Sequence, residues 1–552
     1  MSATEPAYDY VIVGGGSAGS VVASRLAAAL PAASVLLIEA GTHGRGVAQI
    51  VDPPQWTKLP GTALDWGYRY RPSAALGGRA VPIPRGKVLG GCGATGAMRW
   101  FRGHPSDYDA WERAGATGWN YAELLPYFRR SEAWEGGPSE HRGGNGPLRV
   151  TRPGKPHPVA SALVEGAAEL GLARLDDPNA GDTAGAAFAN LNIADGRRFS
   201  VVDGYLPAWA PPPAPGQVPV GAWAAAPEPP ANLTVLTGST ALRLGFGPGP
   251  RCDAVVHTVR GALRRTRARA AVVLALGAFG TPELLIKSGI GDPAQLRALG
   301  VDQVASLPGV GRNLQDHPLL GGVRFLARHR LGLVTDDGGG ALMNWPSSRA
   351  RRPDLHAFVV QGQHAGPGGA APDGLAGDPR VFAICPALLG SVSRGRLTVR
   401  DPEKTGQDAV EIDAGFLTER ADLDALAEAL DTIMDLATTA AYAELIDKPL
   451  LPAVRLSARE KEAFVREHCS TSFHPCGTAA MGTGPDAVTD PELNVIGIAG
   501  LRVADASVIP VIPAGDIQAA VVAIAERCAD LILGADLITG KAVRDPAAMP
   551  VA

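Results

Sequence analysis

The sequence predicts an α/β protein in which a doubly wound nucleotide-binding sheet, built from separated stretches of chain, is interleaved with a second, sheet-bearing domain. Three observations predict it. The N-terminus carries a strand–glycine turn–helix–strand unit, two more strand–glycine segments lie far downstream, and the stretches between them carry no nucleotide signal.

The N-terminal unit reads YDYVIVGGGSAGSVVASRLAAALPAASVLLIEAG. Tyr8 to Val13 is β-rich and ends at glycine, Ser20 to Leu30 has apolar residues at helical spacing, and Val35 to Ile38 is β-rich again. Gly14, Gly16 and Gly19 form GxGxxG directly after the first strand. The first glycine permits the tight turn, the second lets the backbone approach a pyrophosphate, and the third lets helix and strand pack closely. The helix N-terminus then offers free N–H groups and the positive end of its dipole to phosphate. Glu39, 20 residues after Gly19 at the end of the second strand, stands where an acid accepts hydrogen bonds from the adenosine ribose.

Downstream, ARAAVVLALGAFGTPELLIKSGIG (Ala268 to Gly291) reads as a buried strand, a glycine turn and a helix starting at Thr281–Pro282. Gly497 to Gly534 reads as a short strand, a loop and a long amphipathic helix. Between these, SRGRLTVRD and EIDAGFL suggest antiparallel strands. Residues 211–230 hold eight prolines, which fit neither a helix interior nor a central strand, so they read as an exposed loop. The expected segments of the nucleotide domain are 1–150, 232–318 and 470–540, and those of the second domain are 151–231 and 319–469.

Composition excludes several classes. Lys+Arg 51 against Asp+Glu 55 gives a net charge of −4, without the basic excess of a nucleic-acid binder. Hydrophobic residues at 46% and charged residues at 19% supply a core and rule out wholesale disorder. No run reaches the ~18 uncharged apolar residues of a membrane span, and no secretory signal opens the chain; a cytoplasmic protein is expected. The six cysteines form no CxxC, no HExxH is present, and neither a disulfide framework nor a metal is expected.

The motif by itself does not separate flavin from nicotinamide. RGKVLGG (Arg85 to Gly91), RWFRGHPSDYDAW (Arg99 to Trp111), GIGDPAQLRALGV, LPGVGRNLQDHP (Leu307 to Pro318), HPCGTAAMG (His474 to Gly482) and LRVADASVIP (Leu501 to Pro510) follow in that order. With the N-terminal unit they make the chain, from about Tyr8 to Leu533, resemble the glucose–methanol–choline (GMC) family of FAD-dependent oxidoreductases. The resemblance implies a discontinuous Rossmann-like FAD-binding domain and an α+β substrate domain whose six-stranded antiparallel sheet covers the flavin. It places Gly14, Gly16, Ser17, Ala18, Gly19, Glu39, Ala40 and Ala241 around the adenosine and pyrophosphate, with Asp505 and Ala506 as a second pyrophosphate contact; Asp505 also reads as a plain cap. Arg85, Val88, Gly91, Cys92, Thr95, Gly96 and Ala97 match the stretch along the flavin, and Asp516 and Ile517 complete the cofactor side.

The resemblance assigns His474 as the base, taking the alcohol proton while hydride passes to flavin N5. A base suits this role when its pKa lies near the working pH and it reaches the substrate hydroxyl. Three departures stand out. The segment that usually holds a histidine or asparagine partner is Pro513-Ala-Gly-Asp-Ile-Gln-Ala here, which puts Gln518 at the partner position. Gly96 stands where an asparagine usually faces the flavin, and Thr95 stands where some members attach FAD through histidine, so non-covalent FAD is expected. Phe473 precedes His474 as an aromatic does in aryl-alcohol oxidases, and it and Trp100 are candidate substrate-pocket residues, with Phe101 open between pocket and core.

The expected activity is oxidation of an alcohol to the aldehyde or ketone, with oxygen or another carrier as electron acceptor. Alternatives on the same scaffold are an FAD-retaining lyase of the hydroxynitrile lyase kind, a flavin photodecarboxylase, and a non-catalytic flavoprotein. No aromatic cage or acid cluster for a quaternary amine is evident, so choline is not favoured.

Overall fold

Val11, Ile12 and Val13 are fully buried, as expected of a parallel strand covered on both faces. In the computed structural model, which describes residues 5–210, 228–361, 375 and 378–534, they sit near the centre of a seven-stranded sheet. The proline-rich stretch lies mostly outside the described residues. In chain order the strands of the two main sheets begin with β1 (Ala7–Val13), β2 (Val35–Ile38), β3 (Gly185–Phe188), β4 (Leu233–Leu236) and β5 (Ala241–Phe246). They continue with β6 (Cys252–Val259), β7 (Ala262–Leu274), β8 (Pro318–Leu320), β9 (Arg324–Ala327) and β10 (Ala341–Trp345). The last are β11 (Leu355–Val360), β12 (Val381–Leu388), β13 (Ile446–Leu451), β14 (Cys469–Thr471) and β15 (Leu501–Val503).

The first sheet runs β4-β2-β1-β7-β6-β5, with β15 joined to β7. β1 lies parallel to β2, with Val13 opposite Ile38, and parallel to β7, with Val13 opposite Leu274. Three helices matter to the site: α1 (Ser17–Ala29), α2 (Gly277–Lys287) and α3 (Ile517–Leu533). Helix α1 begins three residues before the expected Ser20, so Gly19 lies in its first turn. Helix α2 begins at Gly277 rather than at Thr281, and Pro282 stands inside it. Proline leaves a helical carbonyl without its N–H partner; here the carbonyl of Ala278, four residues back, accepts the hydroxyl of Thr478 at 2.6 Å. That external donor lets the helix run through the proline.

The second sheet is antiparallel. Six strands follow the path β13-β9-β12-β11-β10-β3, and β8 joins it to β14. The expected strands at Arg396–Val399 and Val410–Asp413 pair with each other as a separate hairpin sheet. The carboxyl ends of β1 and β2, at Val13 and Ile38, and Ala275 just past β7 line one cleft with Leu319 of β8 and Phe358 and Val360 of β11, the usual ligand position in a doubly wound sheet. Among the described residues no helix is long and apolar enough to cross a membrane, and no group of three His, Cys, Asp or Glu could hold a metal ion.

Candidate active site

A cavity of about 730 Å³ occupies the cleft, within the roughly 300–1,000 Å³ range of small-molecule sites. At one end it is lined by Gly14, Gly16, Ser17, Ala18, Glu39, Ala40, Ala241, Asp505 and Ala506. Along its middle lie Arg85, Gly91, Cys92, Thr95, Gly96 and Ala97, and at the far end are Phe473, His474, Asp516, Ile517 and Gln518.

The first end suits a dinucleotide on three structural counts. Gly14 has φ +104°, and a Cβ there would lie 2.4 Å from the Ala275 carbonyl oxygen. Gly19 does not line the cavity, but a Cβ on it would lie 1.9 Å from the Gly14 oxygen, so it sets the close packing of α1 on the turn. The α1 N-cap, Gly16, supplies no side-chain cap, which leaves the first N–H groups of α1 to a ligand. Glu39 accepts hydrogen bonds from the backbone N–H of Gly15 (2.9 Å) and Gly41 (2.7 Å). Burial nevertheless pushes its carboxyl up to about 7.

Two expected assignments are corrected. Val88 is fully buried with Ile50, Leu59 and Ala94 and does not line the cavity. Trp100 also points away: successive side chains of an extended chain face opposite sides, so Arg99 and Phe101 line the cavity while Trp100 fills core and donates its indole N–H to Glu132 at 2.8 Å. Asp505 lines the cavity, but its carboxylate is engaged by protein, accepting from Gly277 N–H (2.9 Å), the Thr281 hydroxyl (2.6 Å) and Ser507 N–H (2.8 Å). It holds the start of α2 against the end of β15.

A third correction concerns the partner of His474. Gln518 makes no hydrogen bond to it; its Oε1 accepts the Ser17 hydroxyl at 3.0 Å, beside Gly93. Asp516 takes that place instead, with Oδ1 3.1 Å from His474 Nε2. Two residues along a helix turn the side chain by about 200°, so Asp516 and Gln518 face different parts of the cavity. Asp516 is the N-cap of α3, yet its side chain caps nothing there. An N-cap aspartate normally binds its own helix, and this one is committed to His474. Burial works to raise its carboxyl, but the His474 hydrogen bond and the charges of His474 and Arg99 prevail and hold it at about 2.

The backbone fixes His474 in turn. Phe473 adopts φ +67°, a left-handed conformation costly to a bulky residue. It is pinned by its N–H to the Thr471 hydroxyl (2.7 Å) and its carbonyl to Arg85 Nη2 (2.8 Å). Asp316 accepts the backbone N–H of His474 at 2.9 Å, and its other oxygen accepts the Tyr70 hydroxyl at 2.6 Å. His317 Nδ1 lies 3.0 Å from His474 Nδ1. Burial, with the neighbouring His474, keeps His317 well below the ordinary histidine range, hence neutral. Asp316 and His317 were missed as site residues, although the NLQDHP stretch that holds them was visible. Arg99 also lines the cavity and was missed, since a single arginine beside Trp100 and Phe101 carries no motif signal of its own.

Comparison with known proteins identifies the family and the fold. Two family models described as GMC oxidoreductase match residues 8–211 and 222–319, and residues 391–525. An oxygen-dependent choline dehydrogenase of Brucella ovis is 32% identical over 557 residues, spanning 95% of each chain. The crystal structure of pyridoxine 4-oxidase from Mesorbium loti superposes with a TM-score of 0.85 at 34% identity, covering 95% of this chain and 98% of that one. A formate oxidase of Aspergillus oryzae, studied for the effect of a mutation on FAD modification, gives 0.83 at 26% identity, covering 96% and 98%.

Proposed function

Because this chain belongs to the GMC oxidoreductase family and is an FAD-dependent alcohol oxidoreductase, we propose that His474 and Asp516 act together as the acceptor of the alcohol proton. The 3.1 Å contact between them, in the wall of the cavity, is the observation that carries this reading. When bound, FAD supplies the two-electron acceptor for the hydride of the carbinol carbon.

The residues of the chain do the rest. A contact this short between imidazole and carboxylate holds one proton between them, so the same pair can keep the proton that His474 takes from the alcohol. Release of that proton restores the acceptor. A single proton also fits between the two Nδ1 atoms of His474 and His317. With His474 as its donor and neutral His317 accepting, His474 Nε2 keeps its lone pair, the tautomer a base requires. Asp516 then stabilises the imidazolium, as carboxylates do beside catalytic histidines. Asp316 keeps the ring in place through the backbone.

Asp516→Asn preserves shape but removes the charge. A charge-assisted hydrogen bond contributes about 1.5–3 kcal/mol, so kcat/KM for alcohol should fall roughly ten- to hundred-fold with FAD content unchanged. A value within two-fold of wild type would remove Asp516 from the reaction.

Glu39 gives a pH test of the cofactor end. Ribose hydroxyls donate to an ionised carboxylate, and this one titrates near 7. FAD affinity should therefore rise between about pH 6 and 8, and Glu39→Gln should flatten that rise in equilibrium dialysis. In the chain without cofactor the sign is opposite. The raised carboxyl contributes stability that is full below its unfolded value of 4.5 and is lost as pH rises through about 7.

FAD is held without a covalent bond in this reading, since the loop position that can carry an attaching histidine is Thr95, whose hydroxyl donates to the Gly91 carbonyl at 3.4 Å. Denaturation in acid should release all the flavin into the supernatant. Oxygen or another carrier then takes the electrons.

A further inference from the structure

The cavity holds charge and polarity that proton removal does not use. Arg99 lines it and donates Nε–H to Asp337 Oδ2 at 2.9 Å. The Asp337 carboxylate is otherwise taken up by the N–H groups of Gly339 and Gly340, both at 2.9 Å. Its guanidinium lies 4.0 Å over the Phe358 ring, and a Cβ on Gly339 would come within 2.2 Å of Nη2. Asp337, Phe358 and the bare glycine thus hold Arg99 in one pose. Neither Nη nitrogen has a hydrogen-bond partner among the described residues.

Gln361 is a second, independent observation. It is 1% exposed and lines the same cavity, yet neither its amide nitrogen nor its oxygen has a partner among the described residues. A buried polar group without a partner is costly, and a ligand that supplies one relieves that cost. The other charged groups around Arg99 are engaged: Asp516 with His474, Asp337 as above, and Arg85 with the carbonyls of Pro84 (2.6 Å) and Phe473 (2.8 Å). His356 donates Nδ1–H to Asn344 at 2.7 Å, since the Asn344 amide nitrogen is committed to the Thr183 carbonyl. Phe101 and Leu389 supply apolar wall.

We propose that Arg99 and Gln361 form the recognition end of the substrate pocket, and that the alcohol oxidised here carries a carboxylate bound by the Nη edge of Arg99. The planar guanidinium edge matches a carboxylate through two parallel hydrogen bonds, and Gln361 adds an amide donor. The apolar walls favour an aromatic or aliphatic body between carboxylate and carbinol. This specificity rests on the alcohol-oxidising reading for its purpose, but not for its test.

Binding is measured on the holoenzyme by calorimetry with three unreactive probes of one shape: benzoate, benzamide and benzylammonium. Benzoate should bind ten- to hundred-fold more tightly than the other two. Arg99→Met should abolish that preference, and Arg99→Lys should keep part of it. Equal binding of the three probes, or a preference unchanged in Arg99→Met, overturns the proposal. Should Arg99→Met fail to fold, the wild-type probe series and Gln361→Leu, which should weaken benzoate several-fold, decide it. In turnover, 4-(hydroxymethyl)benzoate should exceed benzyl alcohol in kcat/KM by a similar factor. Selective benzoate binding with no alcohol reducing the flavin would sink the redox reading and leave this one; reduction indifferent to charge would do the reverse.

Discussion

His474→Ala should lower the rate of anaerobic flavin reduction by alcohol about a thousand-fold, in the middle of the range a positioned general base supplies. Its side chain contacts Asp516 and His317 and makes no hydrogen bond to the glycine turn or to Glu39, so FAD content should match wild type. The loss should therefore fall on the chemical step. The Asp516→Asn loss should be smaller, because the imidazole remains as acceptor. The double variant should lose little more than His474→Ala, since two members of one proton-accepting unit do not add. Added imidazole, able to enter the space the ring leaves, should restore part of the rate. A His474→Ala protein that reduces its flavin at more than a tenth of the wild-type rate would remove the base from the account.

Gly19→Val should have the second large effect, on folding and cofactor binding together. Its first side-chain carbon would fall 1.9 Å from the Gly14 carbonyl oxygen, and that oxygen is backbone, which cannot swing aside. Overpacking of this sort costs about 3 kcal/mol, and relief can come only by moving α1 off the turn. The purified variant should be colourless or hold a small fraction of its FAD, with a lowered denaturation midpoint. Gly154→Ala is the control: nothing lies within 4 Å of its Cβ position and its φ is not in the left-handed region. That protein should be indistinguishable from wild type in flavin content and midpoint. A Gly19→Val chain with full flavin would show that close helix–turn packing is not what shapes the pyrophosphate end.

The elements most readily read from sequence were those whose cause is local. Val35–Ile38 is found where its β-rich run stands, and α1 follows the glycine turn. The start of α2 was misplaced by four residues because Pro282 looks like a first-turn residue. What licenses it inside the helix is Thr478, nearly two hundred residues away, and no local pattern reports that. The site divides in the same way. His474 and the glycine turn stand in local motifs, and His474, Gly14 and Gly16 lie on the cavity wall while Gly19 does not. The choice between Asp516 and Gln518 was not legible from spacing, since both stand in one short segment and only the turn of α3 decides which faces His474. Trp100 shows a simpler limit. Being large and aromatic, it draws notice as a pocket residue, yet the alternation of an extended chain turns it inward and presents Arg99 and Phe101. The neutral His317 behind His474 depends on complete burial between distant segments, which composition cannot convey.

The most direct test is the absorbance of the purified holoenzyme, oxygen excluded, titrated with benzylic, furanic, aliphatic and carboxylate-bearing alcohols in parallel with His474→Ala. Full bleaching of the oxidised flavin band by at least one alcohol, with release of the matching aldehyde or ketone and no bleaching of His474→Ala on the same timescale, is the predicted result. Bound flavin that no alcohol reduces, or reduction that proceeds equally without His474, would contradict the proton-accepting pair and the reaction built on it.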